Sequence, residues 1–278
     1  LFVREGEAVR AGQVIARLDT SLLDAQIAAA REAVALAEAR LAQARAGARP
    51  GQVAIAEAQL ALGQFDEAER TLDDLLRLSP DSGRGLWLMG ELRRRRGQEG
   101  YMDYFRRAAD SEVDTGPEIR ARYGLMLLAI GDADAAESYL RRAYEAGLRD
   151  APLLAGLGEL ALRRKQYDRA ERFLAEAVSG SEGLDRAKIL MNLGAVHEAR
   201  EKWTNAAEVF AEAARWPGFR ASGSISAARC YYRAGRYAAA MKYVDIAFSL
   251  RPGDRTVLEW RRKIEDARFG PPAPTTYP

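Results

Sequence analysis

Two residue types that carry much of reactive protein chemistry are nearly missing from this chain of 278 residues. There is one cysteine, Cys230, and one histidine, His197. A lone cysteine builds no disulfide framework and no thiolate metal site, and a lone histidine excludes a histidine-based metal cluster. Lysine is scarce too: Lys165, Lys188, Lys202, Lys242 and Lys263 are the only lysines among 42 basic residues. With the alanine richness, that arginine excess reads as the codon bias of a GC-rich bacterial genome. The 40 acidic residues leave a net charge of +2, so no bulk field draws in nucleic acid or an acidic membrane. No apolar run approaches the ~18 residues that span a bilayer. The chain opens at Leu1 without a leader, which we read as a fragment or processed product, so the missing leader does not argue against export.

What is present is a repeated phrase. Gly63-Gln64-Phe65-Asp66-Glu67-Ala68 returns as Gly97 to Met102, Gly131 to Ala136, Lys165 to Ala170, Glu201 to Ala206 and Gly235 to Ala240. The copies start 34, 34, 34, 36 and 34 residues apart. A fixed period of this size means stacked supersecondary units rather than one globular core. Each unit has a helical stretch before the phrase and another after it. Pro80, Pro117, Pro152, Pro217 and Pro252 fall in the turns, where a helix stops or starts. The two-residue excess near Ser179-Gly180-Ser181-Glu182-Gly183 predicts a longer loop between the fourth and fifth units.

The ends differ. Over residues 1–19, Val3, Gly6, Val9, Gly12, Val14, Ile15 and Leu18 suggest two short strands joined by tight turns. Over 20–48 the period changes: Leu23, Ile27, Ala30, Val34, Ala37, Leu41 and Ala44 form a heptad seam. Its alanines allow a close antiparallel partner. Gly47-Ala48-Arg49-Pro50-Gly51 is expected to stop that helix. Residues 255–268 predict an amphipathic helix closing the far end of the stack, and the Pro-rich segment 269–278 is expected to be disordered.

The repeats over 49–254 resemble the tetratricopeptide repeat (TPR) family, whose unit is a 34-residue helix–turn–helix. The small residues that carry the resemblance are Ala56, Gly90, Gly124, Gly158, Gly194 and Ala228 in the first helix of each unit. In the second helix they are Ala68, Ala136, Ala170, Ala206 and Ala240, with Met102 departing. A second small position, seven residues further on, holds Leu75, Ala109, Ala143, Ala177, Ala213 and Ala247. The resemblance implies an all-α, right-handed solenoid of six repeats (49–82, 83–116, 117–150, 151–186, 187–220 and 221–254). It also implies a concave groove lined by Trp87, Glu91, Arg94, Leu125, Leu128, Glu159, Arg163, Met191, Asn192, Arg229 and Tyr232. The family members that clamp chaperone tails use a groove lysine. The matching positions here are Val53, Trp87, Ala121, Ala155, Met191 and Ile225, which excludes that mode. Trp87 is either a peptide anchor or a packing residue between repeats.

Residues 1–58 are similar to the lipoyl-like half-domain and helix of bacterial membrane-fusion (periplasmic adaptor) proteins, on the pattern Val3-x-x-Gly6-x-x-Val9-x-x-Gly12-x-x-Ile15-Ala16-x-Leu18-Asp19. Related carriers place a modified lysine just after this motif. Here Asp19-Thr20-Ser21-Leu22 follows, so no covalent cofactor is expected. No catalytic constellation appears; His197 and Cys230 sit on apolar stripes and read as packing residues. The run Arg93-Arg94-Arg95-Arg96 suits the negative end of a helix; the competing reading is a site for an anionic partner.

The expectation is a non-enzymatic scaffold that binds a protein or peptide in its groove, serving a bacterial envelope export or secretion assembly. Two alternatives stand beside it: a cytoplasmic regulatory or assembly protein, and an accessory domain of an enzyme whose catalytic part lies elsewhere. The expected location is periplasmic or inner-membrane-associated if a signal or anchor precedes Leu1, and otherwise cytoplasmic.

Overall fold

The computed structural model describes residues 3, 5–13 and 21–270, without the side chains of 21 and 39–49. Among the described residues the fold is all α, with thirteen α-helices, one 3₁₀ turn and no strand. Six antiparallel pairs follow one another. They are the end of α1 (Ser21–Ala61) with α2 (Phe65–Leu78), α3 (Gly83–Arg95) with α4 (Tyr101–Asp110), and α5 (Pro117–Ile130) with α6 (Ala133–Glu145). Next come α7 (Ala151–Arg163) with α8 (Tyr167–Ser179), α9 (Gly183–Ala199) with α10 (Trp203–Ala213), and α11 (Arg220–Arg233) with α12 (Tyr237–Leu250). The closing helix α13 (Arg255–Phe269) buries Val257 and Ile264 against the last pair.

The phrase is a helix-ending device. Its first residue, at 63, 97, 131, 165, 201 and 235, has positive φ in every copy. The next residue's N–H donates to the carbonyl five residues back, from Gln64 to Gln59 through Arg236 to Tyr231. That is the Schellman arrangement, which satisfies otherwise orphaned carbonyls at a helix end. Glycine fits it without strain, and four copies use glycine; Lys165 and Glu201 adopt it at φ 58° and 57°.

The small residues set how closely the paired helices approach. A Cβ on Gly124 would stand 2.8 Å from Leu140 Cγ, and one on Gly158 2.6 Å from Leu174 Cγ. A Cβ on Gly194 would stand 2.6 Å from Phe210 Cε1. Ala56 and Ala228 are fully buried at the same position, as are Ala68, Ala136, Ala170, Ala206 and Ala240 on the second helices. The fully buried Leu72, Phe105, Leu140, Leu174 and Val244 fill the space this leaves.

The second repeat slips by one residue. Gly90 faces Phe105 and the Tyr101 carbonyl just as Gly124 faces Leu140 and the Ala136 carbonyl. Tyr101, not Met102, therefore occupies the small-residue position, and Met102 is only partly buried. The loop 111–116 restores the count. It is tied back to α3 by the Ser82 hydroxyl donating to Asp114 (2.9 Å) and the Gly83 N–H donating to the Val113 carbonyl (3.0 Å).

Arginines at the ends of three first helices reach back to acids in the first two turns of the preceding second helix. Arg96 meets Asp66 and Glu69 (2.7 Å to Glu69), and Arg164 meets Asp134 (2.7 Å) and Glu137 (2.5 Å). Arg200 meets Asp168 and Glu171, both at 2.6 Å. The matching residue of the third repeat is the exposed Ile130, so that rung is missing after the slipped repeat.

Two expectations need correction, and a third falls partly outside the described residues. The segment 47–51 does not stop a helix, because α1 runs through Pro50 to Ala61. Proline has the φ of a first helical turn, so it can open the repeat's own helix at the loss of one upstream hydrogen bond while the axis continues. The 48/49 boundary therefore falls inside α1. The two extra residues near 180 lengthen the start of α9, which begins at Gly183, so the 186/187 boundary falls inside that helix. Of residues 1–19, the described part holds turns around Gly6 and Gly12 and no strand; residues 1, 2, 4 and 14–20, with Val14, Ile15 and Leu18 of the expected strands, lie outside the described residues. So does 271–278 of the Pro-rich tail, while Phe269 ends α13.

Candidate functional site

The first helices of successive repeats lie side by side, α5 against α7 and α7 against α9. Their inward turns bound a cavity of about 890 Å³ across the third, fourth and fifth repeats. Gly156 explains its floor: a Cβ there would stand 2.7 Å from Leu125 Cδ2 and 3.1 Å from Leu140 Cδ1, so α5 and α7 close up and leave Leu125 and Leu128 at the bottom. Pro152 and Ala155 of α7 and Ile189 of α9 extend the apolar surface. Polar groups stand around it: Glu159 and Arg163, paired at 2.7 Å, with Asp185, Lys188 and Asn192 of α9. The loop bearing Ser181 and Glu182 closes one side. An apolar floor with a few placed polar groups is the usual make-up of a ligand site.

Of the residues singled out from the sequence, Leu125, Leu128, Glu159, Arg163 and Asn192 meet in this cavity. The other six do not line it. Trp87 is half-buried with its ring 4.4 Å from that of Phe105, so it packs within its repeat. Glu91 accepts from Arg94 at 2.7 Å and from Arg95 at 3.3 Å. The Arg94 hydrogen bond, against some burial, holds its carboxyl below the usual range. Met191 packs on the cluster under α11. Arg229 grips both oxygens of Glu198 at 2.7 Å, joining α11 to α9. Tyr232 lies between Tyr237 and Trp260, with ring centres 5.6 and 5.7 Å away.

The four-arginine run is taken up internally. Arg93 stacks 4.9 Å from the Tyr104 ring centre, Arg94 and Arg95 hold Glu91, Arg95 also donates to the Leu60 carbonyl, and Arg96 bridges to the first repeat. Cys230 is buried, which pushes its thiol up to about 12. His197 is buried outside the cavity; its Nδ1 makes no hydrogen bond and stands 3.9 Å from Glu171 Oε1. Burial lowers its pKa, with Lys202 and Arg200 acting the same way and Glu171 opposing them. Among the described residues no group of acids, His197 or Cys230 could hold a metal, and no helix is long and apolar enough to cross a membrane.

Pro152, Ser181, Glu182, Asp185 and Lys188 were not foreseen as lining residues. The available signal was the two-residue excess near 180, which alters the spacing of first helices at the cavity itself.

A profile of the tetratricopeptide repeat matches residues 53–100, 124–185 and 155–218. No curated protein matches the sequence. Among solved structures, PilF from Pseudomonas aeruginosa aligns with a TM-score of 0.58 at 16% identity, over 79% of this chain and 99% of its own. PilW, a type IV pilus biogenesis factor, aligns with 0.53 at 14% identity, over 76% of this chain and 97% of its own. The Cut9–Hcn1 hetero-tetramer of the APC/C gives 0.54 at 16% identity over 77% of this chain, which spans 42% of that chain's length. At these identities the likeness is one of fold.

Proposed function

Since the chain belongs to the tetratricopeptide repeat family, whose members in general hold other proteins, we propose that it is a non-enzymatic scaffold whose cavity between α5, α7 and α9 receives a peptide segment of a partner protein. The observation that carries this reading is the cavity's make-up. Leu125, Leu128 and Pro152 offer apolar surface at the bottom, and Glu159, Arg163, Lys188 and Asn192 offer directional polar contacts at the rim. Salt-bridged Glu159 and Arg163 can each keep one partner while binding a peptide backbone or an opposite charge.

A peptide selected by display against the intact chain tests it. Asn192→Ala removes a rim amide and Ala155→Arg fills the space. Each should weaken the selected peptide by more than ~1 kcal/mol, while Asp73→Ala on an exposed face of α2 should change little. Equal loss at all three positions, or none at the two cavity positions, rules the groove out.

We further place this scaffold in a bacterial envelope export or secretion assembly, on the support of the adaptor-like pattern in residues 1–58. Fractionation of cells expressing the native protein checks this, and recovery in the cytosolic fraction alone counts against it.

A further inference from the structure

The two ends of the solenoid are finished differently. At the far end, α13 covers the last pair with Val257 and Ile264 and turns charged residues such as Arg262 and Glu259 outward. A solenoid needs such a polar cap to stay soluble. Among the described residues the near end has none. Ile55 occupies the place held by Met89, Tyr123, Leu157, Leu193 and Ala227 in the later repeats, all of which are buried. Ile55 is 52% exposed. Ala58 matches the buried Leu92, Leu160, Val196 and Cys230, and is exposed. The first repeat thus keeps open, at Ile55 and Ala58, the face that later repeats bury. Leu62 follows at 74% exposure, at the helix-end position where Ile130 is exposed too.

That face continues along α1. Ile55 and Leu62 lie on the same seven-residue count as Ile27 and Val34, which are 43% and 57% exposed. Gly51 and Ala58 lie on the count of Leu23, Ala30 and Ala37. Large residues hold one seam position and mostly small ones the other. Pro50 stands off this seam, exposed.

We propose that a second copy of this chain covers the face, its α1 lying antiparallel along the first. In an antiparallel pair each seam position meets the other one. Taking the register that covers the whole helix, Ile27 falls on Ala58 of the second copy, Val34 on Gly51, Ala30 on Ile55 and Leu23 on Leu62. Three large-to-small contacts and one leucine pair are repeated by the two-fold axis, which is the self-complementarity an isologous dimer needs. The early half of each α1 then caps the open repeat of the other copy, and the two solenoids sit at opposite ends of the helix pair. A heptad held over this length wraps left-handed around its partner. The helix has 41 residues, about 60 Å long and roughly 10 Å across. Lengthwise contact covers about 600 Å² per copy, hence about 1,200 Å² in all, the lower bound of stable interfaces.

The test uses the full chain. Light scattering should return twice the 30.6 kDa chain mass. Ile55→Glu should raise the dimer dissociation constant more than 10-fold with unchanged helicity, because Ile55 is already 52% exposed within one copy. The double variant Ile27→Cys with Ala58→Cys should give a disulfide-linked dimer under mild oxidation. Neither single variant should do so, and the buried Cys230 should stay out of the reaction. A monomer at the highest soluble concentration overturns the proposal. So does a dimer that tolerates Ile55→Glu, or efficient cross-linking by Ile27→Cys alone.

Discussion

Lys165 and Glu201 hold a left-handed backbone where the four equivalent residues are glycine. A side chain in that conformation costs about 1 kcal/mol, and glycine gives part of it back through the freedom it gains on unfolding. Lys165→Gly and Glu201→Gly should each raise stability by about 0.5 kcal/mol, read as a higher melting temperature. A fall would mean that these side chains hold something the backbone does not reveal. His197 makes a pH argument at the same scale. Burial keeps its imidazole neutral, with Lys202 and Arg200 nearby and Glu171 opposing, so its folded pKa lies below the ordinary 6.5. The unfolded chain then takes up a proton that the folded chain refuses, and stability falls as the pH drops below about 6.5. Urea midpoints at about pH 7.5 and pH 5 should differ less in His197→Gln than in the parent. The opposite order would show Glu171 stabilising the imidazolium instead.

At the scale of elements, the second repeat is the weak unit. Its second helix α4 has 10 residues where α6 and α8 have 13 each, and it lacks the arginine rung to the next repeat. Ladder bonds between exposed groups contribute little singly, but a shorter helix also opens more easily. Hydrogen exchange should therefore be faster in α4 than in α6 and α8; equal protection would contradict the register slip as a source of weakness. The sequence hid this slip for a definite reason. One residue is lost before α4 and regained in the loop 111–116, so the phrases stay 34 apart and counting places Met102 where Tyr101 belongs. The 36-residue interval was visible, but counting could not say that the surplus would join α9 rather than a loop. Pro50 misled in a similar way, since the same ring can end one helix or open another.

On the scale of the whole molecule, the stack was legible because small residues and turn residues recur at one period, and each recurrence has a steric cause in Gly124, Gly158 and Gly194. The groove was legible only in part. Position along a repeat foretells which way a side chain points, but not that Phe105 receives Trp87 or that Glu198 captures Arg229. Those contacts join residues whose pairing no period encodes. The same nearest-neighbour construction governs how the molecule comes into being. Its substantial contacts join consecutive helices or helices separated by one other. Chain entropy is therefore spent in small closures, and such topologies fold fast. A repeat can settle on its predecessor while later ones are still being synthesised. The sticky edge travels with the growing end until α13 emerges to close it, and a ribosome that stalls before residue 255 leaves that edge open to chaperones and proteases.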